Sequence, residues 1–187
     1  SQSCAGCPPS HFMIDGYCAF ESDYSILQDF INLNPQSISE GLIPEKAYGA
    51  TNPHWWEGGR IVEISFNHKK LSSTIPNNLS ELDSLKILRL TGNSLVGQIP
   101  EKIVDLSELK ILKLNSNRLI GDIPENIGIM KSLDTLWLDN NNIGCFEYDY
   151  ECDSYGKNRE CCLLHCNQTN NCNSTIPESI TYLNELQ

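Results

Sequence analysis

The chain has 187 residues, 13 of them basic and 24 acidic, for a formal net charge of -11. That charge makes a poor partner for a nucleic-acid backbone or an anionic membrane surface. No stretch approaches the roughly 18 apolar residues of a membrane span, so direct membrane insertion is not expected, and 40% hydrophobic residues supply a core, which excludes wholesale disorder.

The chain opens Ser1-Gln2-Ser3-Cys4 without Met and reads as a processed chain or a fragment. Its nine cysteines sit at the two ends: Cys4, Cys7 and Cys18, then Cys145, Cys152, Cys161, Cys162, Cys166 and Cys172. This clustering predicts end pieces stapled by disulfides in an oxidising compartment. The six late cysteines allow 15 pairings, and the odd total leaves one thiol over. Zinc on Cys161, Cys162, His165, Cys166 and Cys172 is disfavoured because the spacing lacks two clean C-x2-C knuckles. Three Asn-x-Ser/Thr triplets, at Asn78, Asn167 and Asn173, predict N-linked glycans and with them a secreted, extracellular protein.

Residues 1–60 read as a cysteine-containing N-terminal cap. Within it Asp23 to Ile31 forms an amphipathic helix, with Ile26, Leu27, Phe30 and Ile31 on one side and Ser22 or Asp23 near its N-cap.

Residues 61–144 are a repeat of period 24. Pro76, Pro100 and Pro124 are 24 apart, each after an isoleucine. Aligned on them, one unit runs Leu85-x2-Leu88-x-Leu90-x2-Asn93-x-Leu95-x-Gly97-x-Ile99-Pro100. The next runs from Leu109 to Pro124 in the same columns, and a third begins Leu133-x2-Leu136-x-Leu138-x2-Asn141. A degenerate first unit starts at Ile61 and carries Lys69 where Asn is expected. This is the leucine-rich repeat pattern. Each L-x-L is a short strand with its leucines inward. The Asn column bonds the backbone of the turn. Residues such as Leu82, Ile103, Leu106 and Ile127 close the far side, and single coils must stack to bury both faces.

Residues 145–173 read as a cysteine-rich, glycosylated insertion. Its acidic alternation Glu147-x-Asp149-x-Glu151-x-Asp153 lacks the glycine and terminal glutamate of a calcium loop and suits an exposed strand. Residues 174–187 resume the pattern as a partial further repeat, with Leu186 nine residues after Pro177, as Leu85 follows Pro76. A coil left open there presents a sheet edge. Three readings follow: the chain is cut from a longer array, it ends with the insertion acting as its cap, or Ile180, Leu183 and Leu186 are the candidate contacts of a head-to-tail, non-closing self-assembly, a fibre.

With these columns on the page, the L-x-G-x-I-P tail resembles the plant-type leucine-rich repeats of receptor ectodomains and polygalacturonase-inhibiting proteins, over about residues 22–144. The resemblance implies a solenoid with a concave parallel β-sheet and an extra short strand around the Leu-x-Gly segment; joined to the clustered cysteines, the expected fold is a right-handed α/β leucine-rich-repeat solenoid with disulfide-stapled ends. Trp56-Glu57-Gly58 followed by Arg60-Ile61-Val62 is similar to that family's turn into the first strand, without the cysteine pair that the plant cap carries around the tryptophan.

No histidine among His11, His54, His68 and His165 lies in a catalytic motif, and neither a Gly-rich phosphate loop nor Gly-x-Ser-x-Gly is present. The expectation is a non-catalytic protein that needs no cofactor or metal. Its partners are proteins, copies of itself included. The candidate ligand face is the concave sheet, where Lys86, Arg89, Lys110 and Lys113 form a basic patch against the global charge, beside Trp137 and Asp139. A ligand-recognition ectodomain binding peptide or glycan there is the alternative to the fibre.

Overall fold

The computed structural model describes residues 7–14, 17–36, 56–148, 162–165 and 177–183. The cap opens with an antiparallel hairpin, β1 (His11–Ile14) against β2 (Tyr17–Phe20), held by a Cys7–Cys18 disulfide. Helix α1 (Glu21–Asn32) follows directly. Its apolar residues recur at helical spacing, and Ile26, Leu27, Phe30 and Ile31 are buried.

The expected N-cap is displaced. The position falls on Phe20, and no side chain among the described residues caps the helix. Asp23 is instead fully buried inside the first turn. Its carboxylate accepts from Arg60 Nε and Nη2, both at 3.0 Å, and from the Ile61 backbone N–H at 2.9 Å. A buried carboxylate needs such partners, and a bidentate guanidinium outcompetes the helix's own N–H groups for it. Arg60 also pairs with Asp83 at 2.6 Å and lies 4.5 Å over the Phe20 ring. The hydrogen bond to Asp23 holds its guanidinium above the ordinary range, against the opposing effect of burial and helped by the charges of Asp23 and Asp83. One ion cluster thus ties helix, hairpin and first coil together.

A two-stranded turn, β3 (Trp56–Glu57) with β4 (Arg60–Ile61), leads into the repeats. Their strands β5 (Glu63–Ser65), β6 (Ile87–Arg89), β7 (Ile111–Lys113) and β8 (Thr135–Trp137) form one parallel sheet in the order β5-β6-β7-β8. The register is one repeat per strand: Ile64, Leu88, Leu112 and Leu136 are successive partners. Behind the sheet, 3₁₀ helices Asn77–Glu81, Glu101–Asp105 and Ile127–Ile129 close the coils. Each turns one large apolar side chain into the core: Leu79, Ile103 and Ile127. Together with the strand leucines these make one continuous core, each side chain contributing about 1.5–3 kcal/mol by leaving water.

The asparagines carry the turns. Asn117 is 1% exposed. Its Oδ1 accepts from the Leu95 N–H at 3.1 Å, and its Nδ2 donates to the Leu90 and Leu114 carbonyls at 3.0 and 2.9 Å. Asn93 and Asn141 repeat the arrangement one coil either side.

The Leu-x-Gly segments stack through backbone bonds such as Val96 N–H to Ser73 and Ile120 N–H to Gly97, with one β-bridge, Gln98 to Ile120. The implied extra strand is therefore a ladder of single rungs. Gly97 and Gly121 take φ of 77° and 75°, which favours glycine. Next to Gly121, one oxygen of Asp122 is buried without a hydrogen-bond partner among the described residues, and burial holds the Asp122 carboxyl above its usual range. A raised folded value means stability is fully present below the unfolded value and lost as pH rises through the folded one. Asp122→Asn is therefore expected to raise stability, and with it Tm, slightly at neutral pH, by no more than about 0.5 kcal/mol of folding free energy after solvent screening, with the gain vanishing in acid. Thermal melts of both proteins across pH check this, and a gain that persists in acid would refute it.

After Gly144 the chain leaves the coil as β9 (Cys145–Tyr148), which pairs antiparallel with β10 (Cys162–His165). It returns at a 3₁₀ helix, Glu178–Tyr182, stacked on Ile127–Ile129. The Ser179 hydroxyl donates to the Glu125 carbonyl and accepts from the Gly128 N–H at 3.3 Å.

Candidate functional site

The middle residue of each strand points inward, so the residues beside it face the concave side. Three columns result: Glu63, Ile87, Ile111, Thr135; then Ser65, Arg89, Lys113, Trp137; then Asn67, Thr91, Asn115, Asp139. The last is a fixed polar ladder. Thr91 N–H donates to Asn67 Oδ1 at 3.0 Å, and the Thr91 hydroxyl donates to Asn115 Oδ1 at 2.8 Å. Side chains held this way present a surface that loses little entropy on binding.

The expected patch of four cations is corrected by its neighbours. Arg89 Nη1 lies 2.6 Å from Glu63 Oε1, and Lys86 is ion-paired with Glu57. Both acids come from the degenerate first coil and the turn before it. The β5–β6 end of the sheet is therefore charge-compensated. At the β7–β8 end, the Lys113 ammonium sits 3.3 Å above the Trp137 ring centroid, a cation–π pair. Lys110 is exposed and has no ion-pair partner among the described residues. Trp137 is 45% exposed, unusual for so large an apolar side chain on a charged protein. Asp139 is exposed and accepts from Asn140 Nδ2 at 2.7 Å. What remains of the patch is a cation–aromatic spot bordered by the half-buried Ile87 and Ile111. It suits a segment bearing a carboxylate and an apolar side chain.

Other candidate residues are dispersed. Asn78 is half-buried beside α1, while Asn167 and Asn173 lie outside the described residues. Cys7, Cys18 and Cys145 are disulfide-bonded and Cys162 lies in β10; Cys4, Cys152, Cys161, Cys166 and Cys172 lie outside the described residues, as does most of the acidic run. The residues assigned to an open end are turned into the chain. Leu183 is 8% exposed and belongs to the core, and Ile180 packs partly buried against it. Leu186 lies outside the described residues.

Sequence reading missed Glu57 and Glu63. Their signal was the 24-residue register itself, which places Glu63 diagonally across from Arg89, 26 residues on.

Comparison with known proteins matches this geometry. The Leucine Rich Repeat family profile matches residues 84–106 and 108–130. A search of curated proteins gives no match. Among solved structures, a chain of the BIR3–SERK2 complex from Arabidopsis thaliana is 32% identical, over 63% of this chain and 68% of that one, with a TM-score of 0.53. The leucine-rich repeat ectodomain of the receptor kinase SOBIR1 from Arabidopsis thaliana is 26% identical, over 67% of this chain and 70% of that one, with a TM-score of 0.55. The PEPR1 chain in its complex with AtPEP1 shares the fold at 23% identity and a TM-score of 0.60, over 89% of this chain, which spans only 20% of PEPR1's length. No helix among the described residues is long and apolar enough to cross a membrane. Repeat columns, parallel sheet, asparagine ladder and relatives agree, and the chain belongs to the leucine-rich repeat family, with the fold of plant receptor ectodomains.

Proposed function

We propose that this protein is a non-catalytic, secreted recognition module that takes a protein or peptide partner on its concave sheet. The observation that carries this reading is the exposed Trp137 with Lys113 over its ring, joined by the exposed Lys110 just before the strand of Lys113, which has no ion-pair partner among the described residues. Two further cations on the same face are already matched by Glu57 and Glu63, so the attraction is local and sets where a partner's carboxylate lands. The relatives support a macromolecular partner. BIR3 and SERK2 were solved as a complex with each other, and PEPR1 with AtPEP1. Four strands give a small face, which suits a short segment or the edge of another domain. This reading takes precedence over the fibre, because Leu183 and Ile180 are engaged within the chain.

The test is a binding screen of the intact protein against secreted ectodomains and acidic peptides, repeated with Trp137→Ala and the double variant Lys110→Ala, Lys113→Ala. Trp137→Ala is expected to weaken binding by about 2 kcal/mol or more, roughly thirtyfold in Kd. The lysine variant should lower the association rate and flatten its salt dependence. Partners that bind all three proteins equally would place the site elsewhere.

A further inference from the structure

Helix α1 packs against the 3₁₀ helix Asn77–Glu81 and leaves an open groove of about 490 Å3 beside it. That is within the range, about 300–1,000 Å3, of sites that hold a small ligand. Phe20 and Ile26 give the groove apolar surface; Ser22, Ser25, Asp29 and Glu81 give it hydroxyls and carboxylates. Such a mixture matches a sugar, whose ring has an apolar face and a polar edge.

The groove also contains the acceptor of an Asn-x-Ser triplet. Asn78 lines it, and its Nδ2 reaches across to Asp29 Oδ2 at 3.5 Å. Its Oδ1 is buried, so Nδ2 is the atom turned to the groove. Leu79, the middle residue of the triplet, is fully buried and fixes the segment. The Ser80 hydroxyl donates to the Asn77 carbonyl at 2.9 Å.

We propose that Asn78 carries an N-linked glycan whose first two N-acetylglucosamine units lie in this groove and fasten the N-terminal cap to the first repeat. Attachment exchanges one Nδ2–H for a bond to the sugar C1. The donor is a lipid-diphosphate-linked oligosaccharide. The lipid diphosphate leaves from C1 with the bonding electron pair, and the proton passes to a base. The second Nδ2–H remains and still donates to Asp29. Transfer occurs on the nascent chain, so the half-buried position is no barrier to it; folding then lays the sugar along α1. The inference rests on the secreted reading above.

The experiment uses the full chain secreted from a eukaryotic host. Mass spectrometry of the peptide containing Asn78 is expected to show a glycan on most molecules. Peptide-N-glycosidase should release it roughly tenfold more slowly from the native than from the denatured protein. Ser80→Ala and Asn78→Gln should each lose the glycan and about 3–5 °C of Tm, while Ser80→Thr keeps both. Ser25→Trp, which fills the groove, should keep occupancy but bring native release to the denatured rate. An empty Asn78 beside occupied Asn167 or Asn173 overturns the site. An occupied Asn78 released equally fast in both states, with unchanged Tm in the two glycan-free variants, overturns the docking. Three empty triplets would instead count against secretion itself.

Discussion

Replacing Asn117 with Leu is expected to cost about 2–4 kcal/mol of folding stability, or about 5–15 °C of Tm. The side chains are close in size, so the cost is not a cavity. It arises because the Leu95 N–H loses its acceptor inside a site that water does not reach. The Leu90 and Leu114 carbonyls each lose one of two donors and keep the other, from Asn93 and Asn141. Asn141→Leu should cost less, since that residue is half-exposed and water can replace part of what is lost. Asn117→Asp separates shape from hydrogen bonding. Its second oxygen would face those two carbonyls, and burial with repulsion would raise its pKa. Its folded state would then favour the proton, so the deficit should be largest near neutrality and shrink as pH falls from about 7 to 4. A denaturant series at several pH values reads this directly. A flat deficit would mean the asparagine acts through packing.

The asparagine ladder was legible because it repeats: the same residue at the same place, every 24 positions, needs a reason common to each coil. The break at Lys69 was visible too, and the structure explains it. Each ladder amide reaches back to a carbonyl in the preceding coil, as Asn93 does to Phe66. The first coil has no repeat before it, only the cap. There Asn34 takes over: fully buried, it caps the end of α1 through the Phe30 carbonyl and accepts from the Ser72 and Ser73 N–H groups. Nothing periodic marks Asn34, nor the Asp23–Arg60 pair that displaced the expected N-cap. Asn34 joins the cap to the first repeat, and Asp23 and Arg60 both lie in the cap before it, so column reasoning is blind to them. The concave face shows the complement. Its strand register was legible from the columns, but its charge was not, because Glu63 in the first coil and Glu57 in the turn before it compensate half the cations. What is left of the expected basic patch is Lys110, Lys113 and Trp137, at the end of the sheet away from the cap.

The far end of the array yields the second large effect. Gly128→Ala is expected to lift the returning segment Pro177–Leu183 off the third coil and cost about 2–3 kcal/mol. An added Cβ would lie 1.6 Å from the Ser179 carbonyl oxygen and 2.3 Å from its carbon, a backbone contact that no rotamer change relieves. Undocking would expose Leu183 and break the bonds Ser179 makes to Glu125 and Gly128. The two partners are 51 residues apart across the insertion, which is why the period gave no sign of them. Leu183→Ala should cost a similar amount alone and little more when added to Gly128→Ala, because the first change has already removed its environment. Strict additivity would mean that the segment stays docked. Hydrogen exchange should show fast amides over residues 177–183 in the glycine variant and slow ones in the parent. The same variant tests the fibre. An undocked end offers the apolar coil and open edge that head-to-tail pairing requires. Light scattering should then find size rising with concentration in Gly128→Ala and constant in the parent. Association in the parent, with the segment still protected from exchange, would locate a self-contact elsewhere on the solenoid.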